Sequence, residues 1–316
     1  MTRLGALLCL LLLLAPGCTR QQRRRLAVIP KGRAHLFWQS VHAGAVAASR
    51  ETGVEIIWNG PASETDYTGQ LQIVEAMINQ RVDAIVLAPI DKTAMVAVVE
   101  RAAREKIPVV IFDSGIDTDN FVSQVATDNY AAGCAGAART GKILNGKGKV
   151  AMVMVQPGAA STMERERGFR DTLQRDFPGV QIVDARYGMA DFAKSLAVAE
   201  NMLTAHPELD AMFASNESST VGATQALKAR RSKVRLVGFD SSPTLIEDLR
   251  AGTIDSLVVQ DPFRMGYESV HNAVKKLRGE SVQKMNNLPP LVVTRENLDD
   301  PTVARQLNPD LDKYLK

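Results

Sequence analysis

The stretch LAVIPKGRAHLFWQSVHAGAVAA, residues 26–48, decides the fold class of this chain. It begins with the short apolar run LAVI, continues through a loop with Pro, Gly and basic residues, and ends in a helical pattern rich in small residues. His35, Phe37 and Trp38 lie where the loop meets the helix. Ligands bind beyond the carboxyl ends of the strands in open parallel sheets. The stretch therefore predicts a strand followed by a helix, with two aromatic side chains in a ligand-binding position.

The alternation of strand and helix patterns continues along the chain. Apolar runs rich in Val and Ile alternate with segments that have apolar residues at helical spacing, as at Leu71, Val74 and Ile78. Because consecutive parallel strands need crossover helices, this pattern predicts an α/β fold of two doubly wound, Rossmann-like halves with parallel sheets. The spacing predicts helices over 38–52, 65–80, 93–106, 130–144, 165–176, 192–205, 221–229 and 243–250.

Length and composition agree with two globular lobes. The 316 residues exceed what one hydrophobic core usually serves, and the chain is 45% hydrophobic and 23% charged. The net charge is only +3, and no basic stripe with interleaved aromatic residues follows the arginine-rich segment 20–25. We therefore expect no nucleic-acid partner.

The first eighteen residues form a targeting signal. Arg3 precedes a leucine-dominated run over 4–14, and Ala-Pro-Gly-Cys then ends at Cys18. The run is shorter than the ~20 residues that a transmembrane helix needs, so it indicates a signal peptide. The segment resembles a bacterial lipoprotein signal, which implies a signal peptide over 1–17 and a lipidated linker over 18–25. Pro16 is uncommon in such a signal, and ordinary secretion is the alternative; in both cases the mature chain functions in the periplasm or at the cell surface.

Motifs for cofactor or metal chemistry are missing from the sequence. No GxGxxG follows the first strand, no phosphate loop or GxSxG occurs, and the histidines show no metal-ligand spacing. Of the three cysteines, Cys9 leaves with the signal and Cys18 would carry lipid, which leaves Cys134 without a disulfide partner. We therefore expect no cofactor, no metal and no catalytic nucleophile. The glycine pattern around Gly133 indicates close helix packing rather than a phosphate loop.

Aromatic and polar side chains recur where successive strands end. Flat aromatic faces can cover the C–H patches of a sugar ring, while planar amides, carboxylates and a guanidinium bind its hydroxyls. The combination predicts a site for a small, neutral, polyhydroxylated ligand. The candidate residues are His35, Phe37, Trp38, Asp113, Ser114, Arg165, Phe192, Asn216, Asp240 and Gln260.

Other roles are open to some of these residues. Asp113 and Asp240 could form the carboxylate pair of a glycosidase. Arg165 nearby would favour the ionised form of both and so remove the general acid, which favours binding over catalysis. Asn216 and Asp240 could also cap the helices that follow them, and Phe192 taken alone could belong to the core.

Several segments of the chain resemble one known family. The chain is similar to the periplasmic sugar-binding proteins of ABC importers, of the ribose-binding protein type, which share their two-lobed core with lac-repressor-type regulators. The resemblance covers essentially all of the mature chain. It implies ring-sandwiching aromatics at Phe37, Trp38 and Phe192, and hydroxyl-binding groups at Asp113, Arg165, Asn216, Asp240 and Gln260. Its most specific segments are HLFWQSVHAGA, VDAIVLAPID, IPVVIFDSG, ERERGF, FASNESSTVGA, VGFDSSP and VVQDPFRMGY.

Three positions differ from the ribose-binding pattern. His35 stands where an asparagine is expected, and Ser114 stands where an arginine usually follows the aspartate. Trp38 replaces a phenylalanine. Loss of the arginine removes a fork of donors, and the tryptophan enlarges the stacking face. These differences disfavour ribose itself, and another pentose, a hexose or a cyclic polyol fits as well.

The resemblance also implies how the lobes are divided and what the protein does. Three crossings, near Asp128, near Gln260 and over 288–290, would separate an N-terminal lobe (26–127 plus 261–289) from a C-terminal lobe (128–260 plus 290–316). Sugar would close the lobes about this hinge, and the closed monomer would dock on an ABC importer permease. The alternative is a sensor subunit that presents its ligand to a membrane kinase or chemoreceptor. A transcription regulator is disfavoured because no helix-turn-helix precedes Leu26.

Overall fold

The computed structural model describes residues 23–316. The predicted signal peptide and Cys18 lie outside these residues, as does most of the predicted linker. Within 23–316, no helix combines the length and the apolar character that crossing a membrane requires.

Strands and helices alternate through most of the chain. In order the elements are β1 Arg25–Ile29, α1 Leu36–Thr52, β2 Glu55–Trp58, α2 Tyr67–Asn79, β3 Ala84–Leu87, α3 Val96–Arg104, β4 Val109–Phe112, β5 Ser123–Thr127, α4 Asn129–Ile143, β6 Lys147–Met154, α5 Ala160–Asp176, β7 Gly179–Tyr187, α6 Phe192–Ala205, β8 Ala211–Ala214, α7 Glu217–Ala229, β9 Arg235–Phe239, α8 Pro243–Ala251, β10 Ser256–Val259, α9 Pro262–Leu277, β11 Met285–Leu288, β12 Leu291–Val293, α10 Pro301–Leu307 and α11 Asp312–Leu315.

The strands form two six-stranded sheets, each the centre of one lobe. The first has the order β11-β5-β4-β3-β1-β2, and the second has the order β12-β10-β9-β8-β6-β7. All pairings are parallel except that of β12 with β10. The predicted α/β fold with two parallel-sheet lobes is confirmed. We call these the first and second lobe, each comprising one sheet and the helices packed on it.

Both faces of each sheet are buried under helices. In the first lobe one apolar cluster packs around Val41 and Val270 on one face, and another packs around Ile78 and Val99 on the other. The second lobe is built in the same way. Strands covered on both sides need apolar residues at every position, which is why the strand segments appear in the sequence as continuous apolar runs.

Glycines allow two pairs of helices to pack with their backbones in contact. A Cβ atom on Gly133 of α4 would overlap the carbonyl oxygen of Arg165 in α5, which confirms that this glycine serves close helix packing. In the same way, a Cβ atom on Gly44 of α1 would overlap the carbonyl oxygen of Phe263 in α9. These close approaches fix α1 and α5, two of the helices whose first turns face the site described below.

Two helices begin earlier than their sequence pattern indicates. α5 begins at Ala160 and not near Arg165, and α7 begins at Glu217 and not near Val221. Their first turns contain small and polar residues, ASTM and ESST, which lack the apolar spacing that marks a helix. Arg165 therefore lies on the second turn of its helix rather than at the start.

The chain passes between the lobes at three places near the cleft. β5 in the first sheet leads into α4, β10 in the second sheet leads into α9, and β11 and β12 belong to different sheets. Beyond them, the C-terminal residues touch the first lobe again, where the guanidinium of Arg50 donates to the carbonyl oxygens of Lys313 at 2.8 Å and Tyr314 at 3.3 Å.

Candidate ligand-binding site

The carboxyl ends of both sheets face a narrow cavity of about 30 Å³ between the lobes. This volume is far below the range for ligand pockets, about 300–1,000 Å³, because the two walls already contact each other across it. Eight of the ten candidate residues line it: His35, Phe37, Trp38, Asp113, Arg165, Asn216, Asp240 and Gln260. Side chains that follow successive strands of both lobes therefore lie together at one place.

Ser114 and Phe192 do not belong to the lining of this cavity. Ser114 is fully buried, and its hydroxyl accepts a hydrogen bond at 3.0 Å from the backbone N–H of Ser161 in the second lobe. Phe192 begins α6, is 37% exposed and packs its ring edge-to-face on His35 with the ring centroids 5.0 Å apart. Phe192 thus contacts a residue of the cavity wall rather than the cavity itself.

Five further residues line the cavity that the sequence argument missed. They are Lys31, Glu64, Ser161, Thr162 and Glu217. Three of them had a usable signal, because Lys31 and Glu64 lie in loops after β1 and β2, and Glu217 follows Asn216. Ser161 and Thr162 lie in the first turn of α5, whose start the sequence pattern hid.

Lys31 and Asp113 form a buried ion pair at the floor of the site. The Lys31 ammonium lies 2.7 Å from the Asp113 carboxylate, and both side chains are at most 5% exposed. The same ammonium donates to the Ser161 hydroxyl across the cleft at 2.9 Å. An arginine at position 114 would place a positive charge beside Asp113, and serine does not. Lys31, which follows β1, supplies that charge instead.

Glu64 binds both His35 and Trp38 through one oxygen. Its Oε1 atom lies 2.5 Å from Nδ1 of His35 and accepts a hydrogen bond from Nε1 of Trp38 at 2.7 Å. Burial lowers the pKa of His35, but the charge and hydrogen bond of Glu64, helped by Glu217 and Asp240, outweigh it and raise that pKa to about 9. The pKa of Glu64 is lowered, because His35 outweighs the effect of burial. The two side chains therefore form an ion pair at neutral pH.

Trp38 is held in the wall by its neighbours. Phe37 packs against it edge-to-face with the ring centroids 4.8 Å apart, and Phe112 at the end of β4 packs against it at 6.2 Å. The side chain is 3% exposed. With its N–H bound by Glu64, the indole has one fixed plane.

Arg165 carries the positive charge of the second lobe into the site. It is 2% exposed, its Nε atom donates to the side chain of Asn129 at 2.8 Å, and its Nη1 atom donates to the carbonyl oxygen of Ser215 at 3.0 Å. The guanidinium carbon also lies 4.3 Å from the centre of the Phe239 ring. Burial lowers the pKa of Arg165, with Asp240 and Asp113 opposing it, yet an arginine remains charged at neutral pH.

Asp240 links Glu217 to Gln260 and does not cap the helix that follows it. Its carboxylate accepts hydrogen bonds from the backbone N–H of Glu217 at 2.8 Å and from the Gln260 amide at 2.7 Å. Ser242 caps α8 instead, so the capping alternative for Asp240 is wrong. The capping alternative for Asn216 is confirmed, because its side-chain oxygen accepts from the N–H of Ser219 at 2.9 Å.

Both aspartates of the site adopt left-handed backbone conformations. Asp113 has φ = 60° and Asp240 has φ = 66°, and each directly follows a buried strand, β4 or β9. Non-glycine residues adopt this region at a cost and are enriched at binding sites, where the surrounding structure holds them. The two lobes thus use the same local geometry to turn a carboxylate into the cleft.

Burial reverses the direction of the pKa shift that the sequence predicts for Asp240. Arg165 lowers the pKa of Asp240, as expected, but desolvation raises it by more, and the net pKa of Asp240 is raised. The neighbouring charge alone predicts the opposite shift, because the burial of this carboxylate depends on the second lobe and the cleft together.

Glu217 joins the two lobes directly. Its carboxylate accepts the backbone N–H of Leu36 at 3.2 Å and that of Phe37 at 3.1 Å, in the first turn of α1. His35, the residue before that helix, makes no capping bond with its own side chain. A carboxylate at a helix N-terminus satisfies free N–H groups and interacts favourably with the helix dipole. The second lobe therefore caps a helix of the first, and the lobes are in contact across the cleft.

Residues 26–281 match the family model described as a periplasmic binding protein domain. This chain belongs to the periplasmic binding protein family. The match covers both lobes apart from the last two strands and the C-terminal helices.

Curated relatives extend over most of this periplasmic binding protein. A D-ribose/D-allose-binding protein of Pseudomonas aeruginosa is 32% identical over 82% of this chain and 84% of its own length. The ribose import binding protein RbsB of Bacillus subtilis is 30% identical over 80% of this chain and 81% of its own length. Both names describe binding proteins rather than enzymes.

Solved structures match the two-lobed architecture. A carbohydrate transporter solute binding protein from Agrobacterium radiobacter, in complex with D-arabinose, superposes with a TM-score of 0.89 at 32% identity, covering 91% of this chain and all of its own. An ABC transporter solute binding protein from Agrobacterium vitis with bound D-fucose has a TM-score of 0.88 at 34% identity, covering 90% of this chain and all of its own.

The ion pair of His35 predicts a pH dependence of stability. A histidine whose pKa is about 9 in the folded state and about 6.5 when unfolded stabilises the protein fully below about pH 6.5. That contribution is lost as the pH rises toward 9. We expect His35→Asn to remove this part of the decline in the unfolding free energy, measured by urea denaturation at several pH values from about 6.5 to 9.

A matched control is His42→Asn. His42 stacks on Trp58 outside the cavity, and burial lowers its pKa, so it should not add to the decline above pH 6.5. Parallel profiles for the wild type and His35→Asn would contradict the assignment of a protonated His35.

Proposed function

We propose that this periplasmic binding protein captures a monosaccharide between its lobes outside the cytoplasm and delivers it to the permease of an ABC transporter. The observation that carries the proposal is the convergence of eight strand-end candidates from both lobes on one cavity. Neither lobe alone has the complete set of groups, so the ligand is recognised only when the lobes meet. The relatives, which are import and solute-binding proteins, support the same conclusion.

The chemistry of the lining suits a neutral ligand with many hydroxyls. Three buried cations, Lys31, His35 and Arg165, face four carboxyl groups, those of Glu64, Asp113, Glu217 and Asp240. Each carboxylate already accepts from protein donors, and each cation lies near a carboxylate, so the lining offers no unpaired cation to an anionic ligand. Hydroxyl groups, which both donate and accept, can join such a network without adding charge.

The relatives narrow the choice of sugar. Curated relatives are named for ribose and allose, and similar solved structures contain D-arabinose and D-fucose. We propose a pentose or hexose of this kind. Three positions in or beside the cavity wall differ from the ribose-binding pattern: His35, Trp38 and Ser114. We therefore do not expect ribose to be the preferred ligand.

A panel of sugars tests this function. We expect one or more of D-ribose, D-allose, D-arabinose and D-fucose to raise the melting temperature, since a ligand at about a thousand times its Kd stabilises by ~4 kcal/mol. Asp240→Asn should weaken binding, because it removes a charge that Gln260 and the Glu217 N–H both bind. Thermal scans and titration calorimetry measure both effects.

Asp299→Asn is the control for the panel, because Asp299 is an exposed residue that pairs with Arg250 on the surface. It should bind like the wild type. If no sugar shifts the melting temperature of the wild type, the proposed function is wrong.

The contact of Glu217 with α1 predicts that removing this side chain makes the closed, sugar-bound form open faster. Removal of a capping side chain costs about 0.5–2 kcal/mol, so Glu217→Ala should weaken sugar binding by up to about thirtyfold. Because the bonds to Leu36 and Phe37 require the lobes to meet, the loss should appear mainly in a faster dissociation rate. Stopped-flow measurement of association and dissociation tests this.

For this test the control is Glu208→Ala, which removes a half-exposed carboxylate that pairs with Lys149 away from the cleft. Unchanged dissociation in Glu217→Ala would show that this carboxylate does not hold the lobes together.

We further propose that Cys18 anchors the mature protein to a membrane. The family implies an extracytoplasmic location, and the leucine-rich run before Cys18 supports lipidation. Wild-type protein expressed in a bacterial host should partition into the detergent phase and carry a lipid mass at its N-terminus. Cys18→Ser should remain in the aqueous phase. Cys9→Ser, which lies in the part removed with the signal, should behave like the wild type; detergent partitioning of Cys18→Ser would contradict the anchor.

A further inference from the structure

Glu64 stands apart from the residues that the family pattern places in the site. It lies in the loop between β2 and α2, and its side chain is 11% exposed. Its partners are His35 and Trp38, two of the positions where the chain differs from the ribose-binding pattern. One buried carboxylate therefore contacts both cavity residues that are unusual for this type of protein.

We propose that Glu64 is a positioning residue that fixes the ring of His35 and the indole of Trp38, and thereby sets which sugar the cleft prefers. This inference rests on the proposed function.

The indole N–H of Trp38 depends on Glu64 for its acceptor. A buried indole N–H needs an acceptor, and among the described residues the Glu64 carboxylate is the acceptor at hydrogen-bond distance, 2.7 Å. Phe37 and Phe112 contact the ring, so rotation about the side-chain bonds is blocked once the N–H is bound. The face that Trp38 of α1 presents to the cavity is thus determined by Glu64 in the loop between β2 and α2.

The His35 imidazole depends on Glu64 as well. Nδ1 of His35 is bound to Glu64, which leaves Nε2 as the ring nitrogen available to a ligand. With Glu64 ionised beside it, the imidazole keeps both protons and Nε2 is a donor; in a neutral ring with the proton on Nδ1, Nε2 would be an acceptor. Asparagine at this position would offer both a donor and an acceptor. Glu64 therefore determines that the ligand atom facing His35 must accept a hydrogen bond.

The charged groups around His35 act in the same direction. Glu217 and Asp240 of the second lobe add negative charge near the imidazole. Lys31, which lies close enough to Glu64 to favour its ionised form, is itself paired with Asp113. The second lobe therefore supports the protonated ring when the cleft is closed.

The loop that carries Glu64 also takes part in closure. The backbone carbonyl oxygen of Glu64 accepts a hydrogen bond at 2.7 Å from the side-chain amide of Gln156 in the second lobe. The carboxylate that orders His35 and Trp38 is therefore attached to a loop that the other lobe holds when the cleft closes.

Three variants separate the role of the negative charge of Glu64 from the role of its oxygen as the hydrogen-bond acceptor for Trp38. Glu64→Gln keeps an oxygen for the Trp38 N–H but loses the charge that favours the protonated His35. Glu64→Leu removes both. The double variant Glu64→Gln/His35→Asn pairs a neutral side chain with the asparagine of the ribose-binding pattern. Each protein is titrated by calorimetry with D-ribose, D-allose, D-arabinose and D-fucose, and the His35 ring and Trp38 indole N–H are followed by NMR without sugar.

We expect Glu64→Gln to bring the pKa of His35 down from about 9 toward or below 6.5, while the Trp38 indole resonance changes little. Glu64→Leu should move that resonance as well. Loss of one charged partner in a buried site should change the ratio of affinities between sugars by about tenfold or more. The double variant should regain affinity lost by Glu64→Gln and shift preference toward ribose.

Glu208→Gln is the control, since it makes the same chemical change at a half-exposed position. The proposal is overturned if Glu64→Gln leaves the His35 titration unchanged, or if it weakens all four sugars by the same factor. Failure of the wild type to bind any of the four would instead overturn the proposed function, and the claim about preference with it. The NMR titration without sugar would still decide whether Glu64 positions the two rings.

Discussion

The structure of the cleft depends on the need to pair every charge that it buries. A charged side chain removed from water is costly unless an opposite charge or hydrogen-bond donors replace the water. Here Lys31 meets Asp113 and His35 meets Glu64 within the first lobe. In the second lobe the pairing is less direct, with Arg165 bound to neutral acceptors near the Asp240 carboxylate. The site is therefore a network of fixed charges, into which hydroxyl groups fit more easily than an additional ion.

The same network connects ligand binding with closure. Glu217 reaches the first turn of α1, Gln156 reaches the loop of Glu64, and Lys31 reaches Ser161, so groups of both lobes complete each other's hydrogen bonding only when the lobes meet. A sugar that contacts both walls favours the same arrangement. Under the proposed function, binding would shift the population of open and closed forms through contacts that the open form cannot make.

The sequence predicted the fold well where a periodic pattern was present. Continuous apolar strands and apolar residues at helical spacing identified both lobes, because sheets covered on both faces demand them. The pattern failed at the starts of α5 and α7, where small and polar residues form the first turn. Those turns face the cleft, so their residues are chosen for close approach and hydrogen bonding rather than for burial against the sheet, and the helical pattern is absent there.

The sequence by itself determined which kinds of side chain stand at the strand ends, and eight of the ten candidates line the cavity. Only the tertiary structure decided their partners. Glu217 contacts the backbone of Phe37 across 180 positions, and Lys31 contacts Ser161 across 130. Burial of Asp240 and protonation of His35 are likewise properties of the assembled cleft, because desolvation and the charges of neighbouring elements set a pKa. Local sequence carries the chemical groups, whereas their charge state and pairing arise from distant segments that only folding brings together.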